Sequence, residues 1–161
     1  MNSCSERHAV IATVDTNILL SVFLKDSLCV RASDLLEKYS AHQYIINDII
    51  YLELCVHFPR REKLDECLEI LEITVLEEYA KNYEAIVNGW RRYLKKRKTI
   101  CPACGKILKP LCSHCSHSIT FRQKILADFI IGGFALANSH GILTLDTAHY
   151  KNYFPQLKIL N

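Results

Sequence analysis

Residues 9–24 read AVIATVDTNILLSVFL, and this stretch decides the fold. The apolar run 9–14 predicts a short buried strand that ends at Asp15, and residues 16–24 predict a buried helix. Open α/β folds bind their ligands beyond the carboxyl ends of such strands. A carboxylate at that position is costly unless a cation compensates its charge. We therefore expect the rest of the chain to bring further carboxylates to Asp15.

The composition is that of one globular domain. The chain has 161 residues, of which 50% are hydrophobic and 23% are charged, so it can bury a full core and is not a disordered segment. The formal net charge of +3 says little about partners. The amino terminus is polar and no apolar run is long enough to cross a bilayer, so neither a secretory signal nor a membrane span is predicted. We expect a cytoplasmic protein without a membrane partner.

Predicted strands and helices alternate along the chain. Beyond the first strand, strands are predicted at 44–46, 142–145 and 157–160, with 73–76 as a strand or a turn. Helices are predicted at 16–24, from 28 to about 39, and at 49–58, 62–70, 77–98, 124–139 and 147–153. This alternation predicts an α/β fold in which helices cover both faces of a parallel sheet.

Three of these helices carry specific packing expectations. The helix at 49–58 is almost entirely apolar, which predicts burial on all sides. In the helix at 124–139, Gly132 and Gly133 are expected to allow close packing against the sheet. The helix at 77–98 has an apolar stripe at helical spacing that is expected to face the core. The stripe consists of Tyr79, Tyr83, Ile86, Val87, Trp90 and Leu94.

Four carboxylates occupy unusual positions. Asp15 and Asp146 end apolar strands, whereas Glu53 and Asp128 lie in apolar helices. Each aspartate has a structural alternative, since Asp15 and Asp146 could cap the following helices and Asp128 could be a first-turn acid. Glu53 has no obvious partner except His57, four residues on. Carboxylates brought close together repel one another, and divalent cations that prefer oxygen ligands relieve this repulsion. The four residues together therefore predict a Mg²⁺ site, and two such ions can promote phosphodiester hydrolysis.

The order of these motifs resembles that of the PIN-domain nucleases. The resemblance rests on Val14-Asp15-Thr16-Asn17, on Glu53 in its apolar helix, on Asp128 before Phe129-Ile130-Ile131, and on Leu143-Thr144-Leu145-Asp146. The closing segment 146–158 is similar to the tail of the toxin-type (VapC-like) members. The resemblance covers every segment except 99–118. Ile50 and Leu145 depart from the family pattern, which often has Ser or Thr at the first position and a basic or polar residue at the second.

This resemblance implies a PIN-like fold and a metal-dependent endoribonuclease that leaves 5′-phosphate and 3′-hydroxyl ends. It implies that Mg²⁺ or Mn²⁺ is held by Asp15, Glu53, Asp128 and Asp146. It further implies that these carboxylates are oriented by Thr16, Asn17 and Thr144. A toxin-type member implies an antitoxin partner and often a homodimer.

Two other functions remain open at this point. One is an RNA-processing nuclease like the PIN endonuclease of small-subunit ribosomal RNA maturation, whose zinc ribbon follows the nuclease domain instead of interrupting it. The other is an RNA-binding adaptor with a catalytically silent site. The presence of all four carboxylates argues against the adaptor.

Two Cys-x-x-Cys pairs interrupt the pattern within residues 99–118. Cys101, Cys104, Cys112 and Cys115 have the spacing of a four-thiolate Zn²⁺ site, with a short linker between the pairs. Disulfides, a redox pair, or replacement of one cysteine by His114 or His117 are the alternatives. We expect a structural zinc ribbon at 99–118, inserted into a nuclease domain formed by 1–98 and 119–161.

A basic run precedes the insertion. Residues 91–98 carry six basic side chains and no acidic one. We expect a basic rim that grips RNA phosphates beside the acidic cluster. Its members are Arg91, Arg92, Lys95, Lys96, Lys106 and Lys109. A purely structural alternative is that the cations are solvated or stabilise the carboxyl end of a helix dipole.

Overall fold

The structure is a computed structural model, and it describes residues 10–77, 82–101, 103–119 and 125–161. The strands are β1 Ile11–Val14, β2 Gln43–Asn47, β3 Ile73–Leu76, β4 Thr99–Ile100, β5 Ile107–Leu108, β6 Ile142–Leu143 and β7 Ile159–Leu160. The helices are α1 Thr16–Leu24, α2 Cys29–Lys38, α3 Asp48–Cys55, α4 Arg61–Ile70, α5 Tyr83–Lys96, α6 Leu126–Asn138 and α7 Thr147–Tyr153. The predicted α/β fold is confirmed.

The central sheet has five parallel strands in the order β3-β2-β1-β6-β7. Chain order reverses beside β1, since β2 lies on one side of it and β6 on the other. The register pairs Val14 with Leu143, so the residues that follow these two strands meet at one edge of the sheet. This is the topological switch point at which open α/β sheets bind ligands. Asp15 therefore begins the loop at the sheet's most favourable position for a site.

Helix α3 is buried on one side only. Ile50 and Leu54 are fully buried, but Leu52 is 60% exposed and Val56 is 81% exposed. The prediction that this apolar helix is buried all round was wrong. Hydrophobicity alone did not identify the packed face, because apolar residues also occupy the surface of folded proteins.

Helix α5 shows only part of the expected stripe, since Ile86 is buried and Trp90 packs against the core. Its buried residues are Ile86, Gly89 and Tyr93, whereas Tyr83 is 70% exposed and Leu94 is 43% exposed. Tyr79, the first member of the expected stripe, lies outside the described residues.

Two glycines of α6 allow close approach of neighbouring side chains. A Cβ on Gly132 would lie 2.5 Å from the ring of Phe154, and a Cβ on Gly133 would collide with Ile86 of α5. These close contacts are made by side chains of α5 and of the residue after α7. The glycines allow close packing, as expected, but the side chains packed against them are Phe154 and Ile86 and not residues of the sheet.

Strands β4 and β5 form a separate antiparallel pair within the cysteine-containing insertion. Thr99 pairs with Leu108 and Ile100 with Ile107, and an isolated bridge joins Leu111 to Ser118. No helix in the described parts of the chain is long and apolar enough to cross a membrane.

Candidate active site

A cavity of about 190 Å³ opens at the carboxyl edge of the central sheet. All four carboxylates singled out from the sequence contribute to its wall, although they come from four separate segments of the chain. The lining consists of Asp15, Thr16, Asn17, Leu20, Glu53, Asp128, Ile131, Asp146, His149 and Tyr150. No lysine or arginine of the described residues is among them. The cavity therefore concentrates negative charge.

Asp15 is the most buried of the four carboxylates, with 6% of its surface exposed. Its Oδ2 accepts hydrogen bonds from Asn17 Nδ2 and Thr144 Oγ1, both at 2.6 Å. Burial raises its pKa from 3.8 to about 6, and the charges of Asp128 and Glu53 add to the rise while hydrogen bonds oppose it. Asp15 precedes α1, but its side chain makes no capping hydrogen bond. Its position is therefore not explained by helix capping.

Glu53 is hydrogen-bonded by Thr16, one of the three residues that the resemblance implies orient the carboxylates. Thr16 Oγ1 donates to Glu53 Oε2 at 2.5 Å and links the start of α1 to the middle of α3. The two residues are 37 positions apart in the chain. The sequence had suggested His57 as a partner, whereas the observed donor is the hydroxyl of Thr16, the residue after Asp15. Thr16 thus orients one carboxylate while its neighbour supplies another.

Asp146 and Asp128 also serve their helices. Asp146 Oδ1 accepts from the backbone N–H of His149 at 3.1 Å and caps α7. Asp128 Oδ2 accepts from the backbone N–H of Ile125 at 3.1 Å at the start of α6. Asp146 therefore does cap the following helix, and Asp128 is an acid in the first turn of its helix, as the structural alternatives predicted. A carboxylate has two oxygens, so capping with one does not prevent the side chain from lining the cavity.

Asn17 ties the acidic wall together. In addition to its bond to Asp15, its Nδ2 donates to Thr144 Oγ1 at 3.1 Å, and its Oδ1 accepts from the backbone N–H of Leu145 at 2.9 Å. Thr144 Oγ1 also accepts from the backbone N–H of Asp146 at 3.0 Å. This network joins the first turn of α1 to the loop after β6.

Solved structures of similar fold include a toxin–antitoxin complex. VapBC-1 from nontypeable Haemophilus influenzae matches with a TM-score of 0.54 and 19% sequence identity, over 93% of this chain and 96% of that one. The chain has a PIN-like fold. No protein-family model and no curated protein matches the sequence. The PIN-like fold expected from the motifs is thus confirmed by structure.

The lining of the cavity includes two further side chains, His149 and Tyr150, that were not predicted from the sequence. Tyr150 is 2% exposed and lines the cavity together with Asp15. Burial, followed by the charges of Asp15 and Asp128, raises the pKa of Tyr150 well above its usual value, so the phenol stays a hydrogen-bond donor. His149 is 4% exposed and packs edge-on against Phe129 at 5.0 Å. Their positions one helical turn after Asp146 were the available signal.

The donors of this cavity fit a hard cation. In the part of the chain that the structure describes, no three Asp, Glu, His or Cys side chains converge closely enough to hold one ion between them. The carboxylates face a shared cavity from separate walls. Mg²⁺ does not require such convergence, because it binds through one or two carboxylates and completes its shell with waters and phosphate oxygens. The carboxylates supply only oxygen donors, and these suit Mg²⁺ or Mn²⁺.

The basic end of helix α5 lies beside the start of α6, the helix that contains Asp128. The ring of Trp90 lies 5.0 Å from that of Phe129, the residue after Asp128, and Tyr93 lies 5.8 Å from the same ring. The carboxyl end of α5 therefore adjoins the amino end of α6. Lys95 and Lys96 form the last turn of α5, just beyond Tyr93.

The basic side chains are not equivalent. Arg91, Lys95 and Lys96 are exposed, as are Lys106 and Lys109 in the insertion. Arg92 is half-buried, and its Nη1 donates to the carbonyl oxygen of Tyr153 at 2.8 Å. Arg92 therefore has a structural role in holding α5 against the end of α7.

The two Cys-x-x-Cys turns have the same backbone hydrogen bonds. In each turn, the N–H of the first cysteine donates to the carbonyl five residues later, and the N–H four residues later donates back to the cysteine carbonyl, at 2.8–2.9 Å. That fourth residue has a positive φ, 70° at Gly105 and 57° at Ser116. The turns that begin at Cys101 and Cys112 are thus two copies of one local structure.

Both turns direct hydrogen-bond donors at their first sulfur. The backbone N–H groups of the third and second residues after it, and the thiol of the second cysteine, lower the pKa of Cys101 and of Cys112. All four cysteines are free thiols. Among the described residues no three Cys, His, Asp or Glu side chains converge on one point, so the two cysteine pairs are separate.

Proposed function

We propose that this chain is a metal-dependent endoribonuclease, and that it is the toxin of a toxin–antitoxin pair. The observation that carries the proposal is the set of four carboxylates around one cavity at the switch point of the sheet, with no described lysine or arginine in its wall. The PIN-like fold and the VapBC-1 neighbour support the toxin assignment. An antitoxin partner and a homodimer are part of the same proposal.

The chain's own residues hold and orient the reacting groups in this proposal. Asp15, Glu53, Asp128 and Asp146 would hold Mg²⁺ or Mn²⁺. The chemistry that such a cation supplies is polarisation of a phosphoryl oxygen and activation of a water for hydrolysis. Thr16 keeps Glu53 in place, and Asn17 and Thr144 keep Asp15 in place. Tyr150 lines the cavity beside Asp15 with an almost fully buried side chain.

Glu53→Gln is expected to lower the rate of RNA cleavage by about a hundredfold or more, because several kcal/mol of charge stabilisation is lost. Glutamine preserves the shape of the side chain and an acceptor for Thr16. The measurement is cleavage of single-stranded and structured RNA in Mg²⁺ or Mn²⁺, with analysis of the 5′ ends.

The matched control is Glu62→Gln, an exposed residue of α4 that does not line the cavity. It should cleave like the unsubstituted protein, and chelator should abolish cleavage by both. Cleavage that persists in chelator and in Glu53→Gln contradicts the mechanism. Binding of RNA without any cleavage favours the silent adaptor.

We further propose that exposed basic side chains near the amino end of α6 bind RNA phosphates. Replacing Arg91, Lys95 and Lys96 together by Gln should weaken RNA binding. The slope of the logarithm of the binding constant against the logarithm of the salt concentration should become shallower by roughly 0.7 per lost phosphate contact. Arg92 is left intact because its bond to Tyr153 holds the helix. Affinity is measured by titration at several salt concentrations.

The control removes the same number of charges at Arg31, Arg60 and Lys158, all exposed and outside α5. An equal loss of slope in the control would show that only total charge matters. An unchanged slope in the α5 variant would remove these residues from the RNA interface.

Zinc is the proposed ligand of the two cysteine turns. Cys101, Cys104, Cys112 and Cys115 would hold one Zn²⁺ through four thiolates. Support comes from the duplicated turns, each of which presents a pair of free thiols with N–H donors directed at one sulfur. Binding would require the two turns to close on each other, which couples the metal to the fold of the insertion.

A further inference from the structure

An apolar groove adjoins the acidic cavity. It encloses about 430 Å³, and Asn17, Leu20 and Asp146 line both the groove and the cavity, so the two are neighbours. Its apolar wall consists of Leu20, Leu28 and Leu145. Leu28 is 43% exposed although it is a leucine beside a charged site. The proposed function does not use this groove.

The groove offers a phosphate no cationic side chain. Its described lining contains the carboxylates of Asp26 and Asp146 and no lysine or arginine. Leu145, the residue before Asp146, contributes an apolar side chain to the lining and no donor for a phosphate oxygen. An RNA chain whose scissile phosphate occupies the acidic cavity must therefore present something other than a second phosphate here. A flat apolar ring with polar edges fits leucine walls of this kind.

The far end of the groove carries a fixed acceptor. Asp26 Oδ2 accepts from Ser21 Oγ at 3.1 Å, and Oδ1 accepts from the backbone N–H of Leu28 at 2.7 Å. Ser21 is 3% exposed, so one of the two groups that orient the carboxylate is itself buried. An ionised carboxylate only accepts hydrogen bonds. It matches the amino groups of guanine, adenine and cytosine, whereas the carbonyl oxygens that flank the N–H of uracil would be repelled.

We propose that this groove binds one nucleobase of the RNA next to the scissile phosphate, and that Asp26 selects bases with an amino group over uracil. The inference rests on the proposed nuclease function. The leucines supply contact area common to all bases, and the carboxylate supplies the discrimination. The subsite thus deepens the nuclease proposal by assigning a base preference at a single position.

The test is cleavage of a random-sequence RNA pool, with the products sequenced. The unsubstituted protein should disfavour uracil about fivefold or more at one position beside the cleaved bond, which corresponds to about 1 kcal/mol. Asp26→Asn should lose that preference at the same position only, because an amide both donates and accepts. The control Asp34→Asn, an exposed residue of α2 outside the groove, should leave the sequence profile unchanged.

A second variant separates contact area from selection. Leu28→Ala should raise the KM for RNA severalfold and keep the order of base preference. Cleavage with the same profile in the unsubstituted protein and in Asp26→Asn overturns the subsite while leaving the nuclease intact.

A binding measurement covers the case in which no cleavage occurs. The methyl NMR signals of Leu28 and Leu145 are followed during titration with GMP and with UMP in Mg²⁺. Larger shifts with GMP support the base site independently of catalysis. Absence of any nucleotide response, together with a response to a protein partner, overturns it in favour of a protein-docking groove.

Discussion

Asp15→Asn is expected to make the metal-free protein more stable at pH 8 and to abolish RNA cleavage. Burial and the neighbouring carboxylates raise the pKa of Asp15 from 3.8 to about 6, so holding it ionised in the folded state costs as much as about 3 kcal/mol. Asparagine removes the charge and keeps an oxygen that can accept from Asn17 and Thr144. Cleavage should fall by about a hundredfold or more.

The sign of the pH dependence follows from the raised pKa. The folded state binds the Asp15 proton more tightly than the unfolded state does, so this residue costs stability as pH rises through the window from 3.8 to about 6. The advantage of Asp15→Asn should therefore be complete above this window and absent below it. Urea unfolding in chelator at several pH values measures the difference between the two proteins.

Asp34→Asn is the control, because Asp34 is exposed on α2. The difference in the free energy of unfolding between Asp34→Asn and the unsubstituted protein should stay the same over this pH window. Adding Mg²⁺ should stabilise the unsubstituted protein more than Asp15→Asn, since a ligand stabilises only the state that binds it. An Asp15→Asn protein that is less stable at every pH would show that the carboxylate is not an uncompensated charge.

Loss of either cysteine turn is expected to abolish zinc binding. Cys101→Ser and Cys112→Ser should each reduce bound zinc from one ion per chain to none, because structural sites are closed by four ligands. Apparent zinc-binding energies in small zinc-held folds are about 10–16 kcal/mol, so the consequence for the insertion should be large. Elemental analysis of the purified protein measures the content.

Cys29→Ser and Cys67→Ser are the matched controls, since both cysteines lie in helices outside the insertion. They should retain the metal. The visible spectrum of the Co²⁺-substituted protein distinguishes four thiolates from a site in which His114 or His117 replaces one of them. Retention of zinc in both Cys101→Ser and Cys112→Ser, or a disulfide between the turns, would overturn the four-thiolate site.

Local patterns predicted the elements well. The structure places α1 at Thr16–Leu24 and α7 at Thr147–Tyr153, which are the predicted bounds. Both helices start directly after an aspartate that follows an apolar run, so strand, loop and helix signals coincide. β1 ends at Val14, as the apolar run predicts, whereas β6 ends at Leu143, where its pairing with β1 and β7 ends, two residues before the predicted end at 145.

Helix faces were predicted less well. In α5 the contact face includes Gly89, where a Cβ would lie 3.0 Å from Phe154. Glycine has no side chain, so a stripe read from apolar residues misses the place where another side chain packs against the backbone. The exposed Leu52 of α3 and Val56 just after it carry the same hydrophobic signal as the buried residues.

The sequence by itself determined the alternation of strands and helices, the parallel sheet, and the identity of the four acidic residues. These follow from hydrophobic periodicity and from the cost of placing a charge in an apolar segment, both of which are local properties. The resemblance implied that Thr16, Asn17 and Thr144 orient the carboxylates, but only the tertiary structure decided which carboxylate each of them contacts. Thr144 lies 129 positions from Asp15 in the chain, and Thr16 joins Glu53 across 37 positions. Such pairs depend on strand order and register, because side chains distant in sequence meet only when the sheet brings their strand ends to one edge.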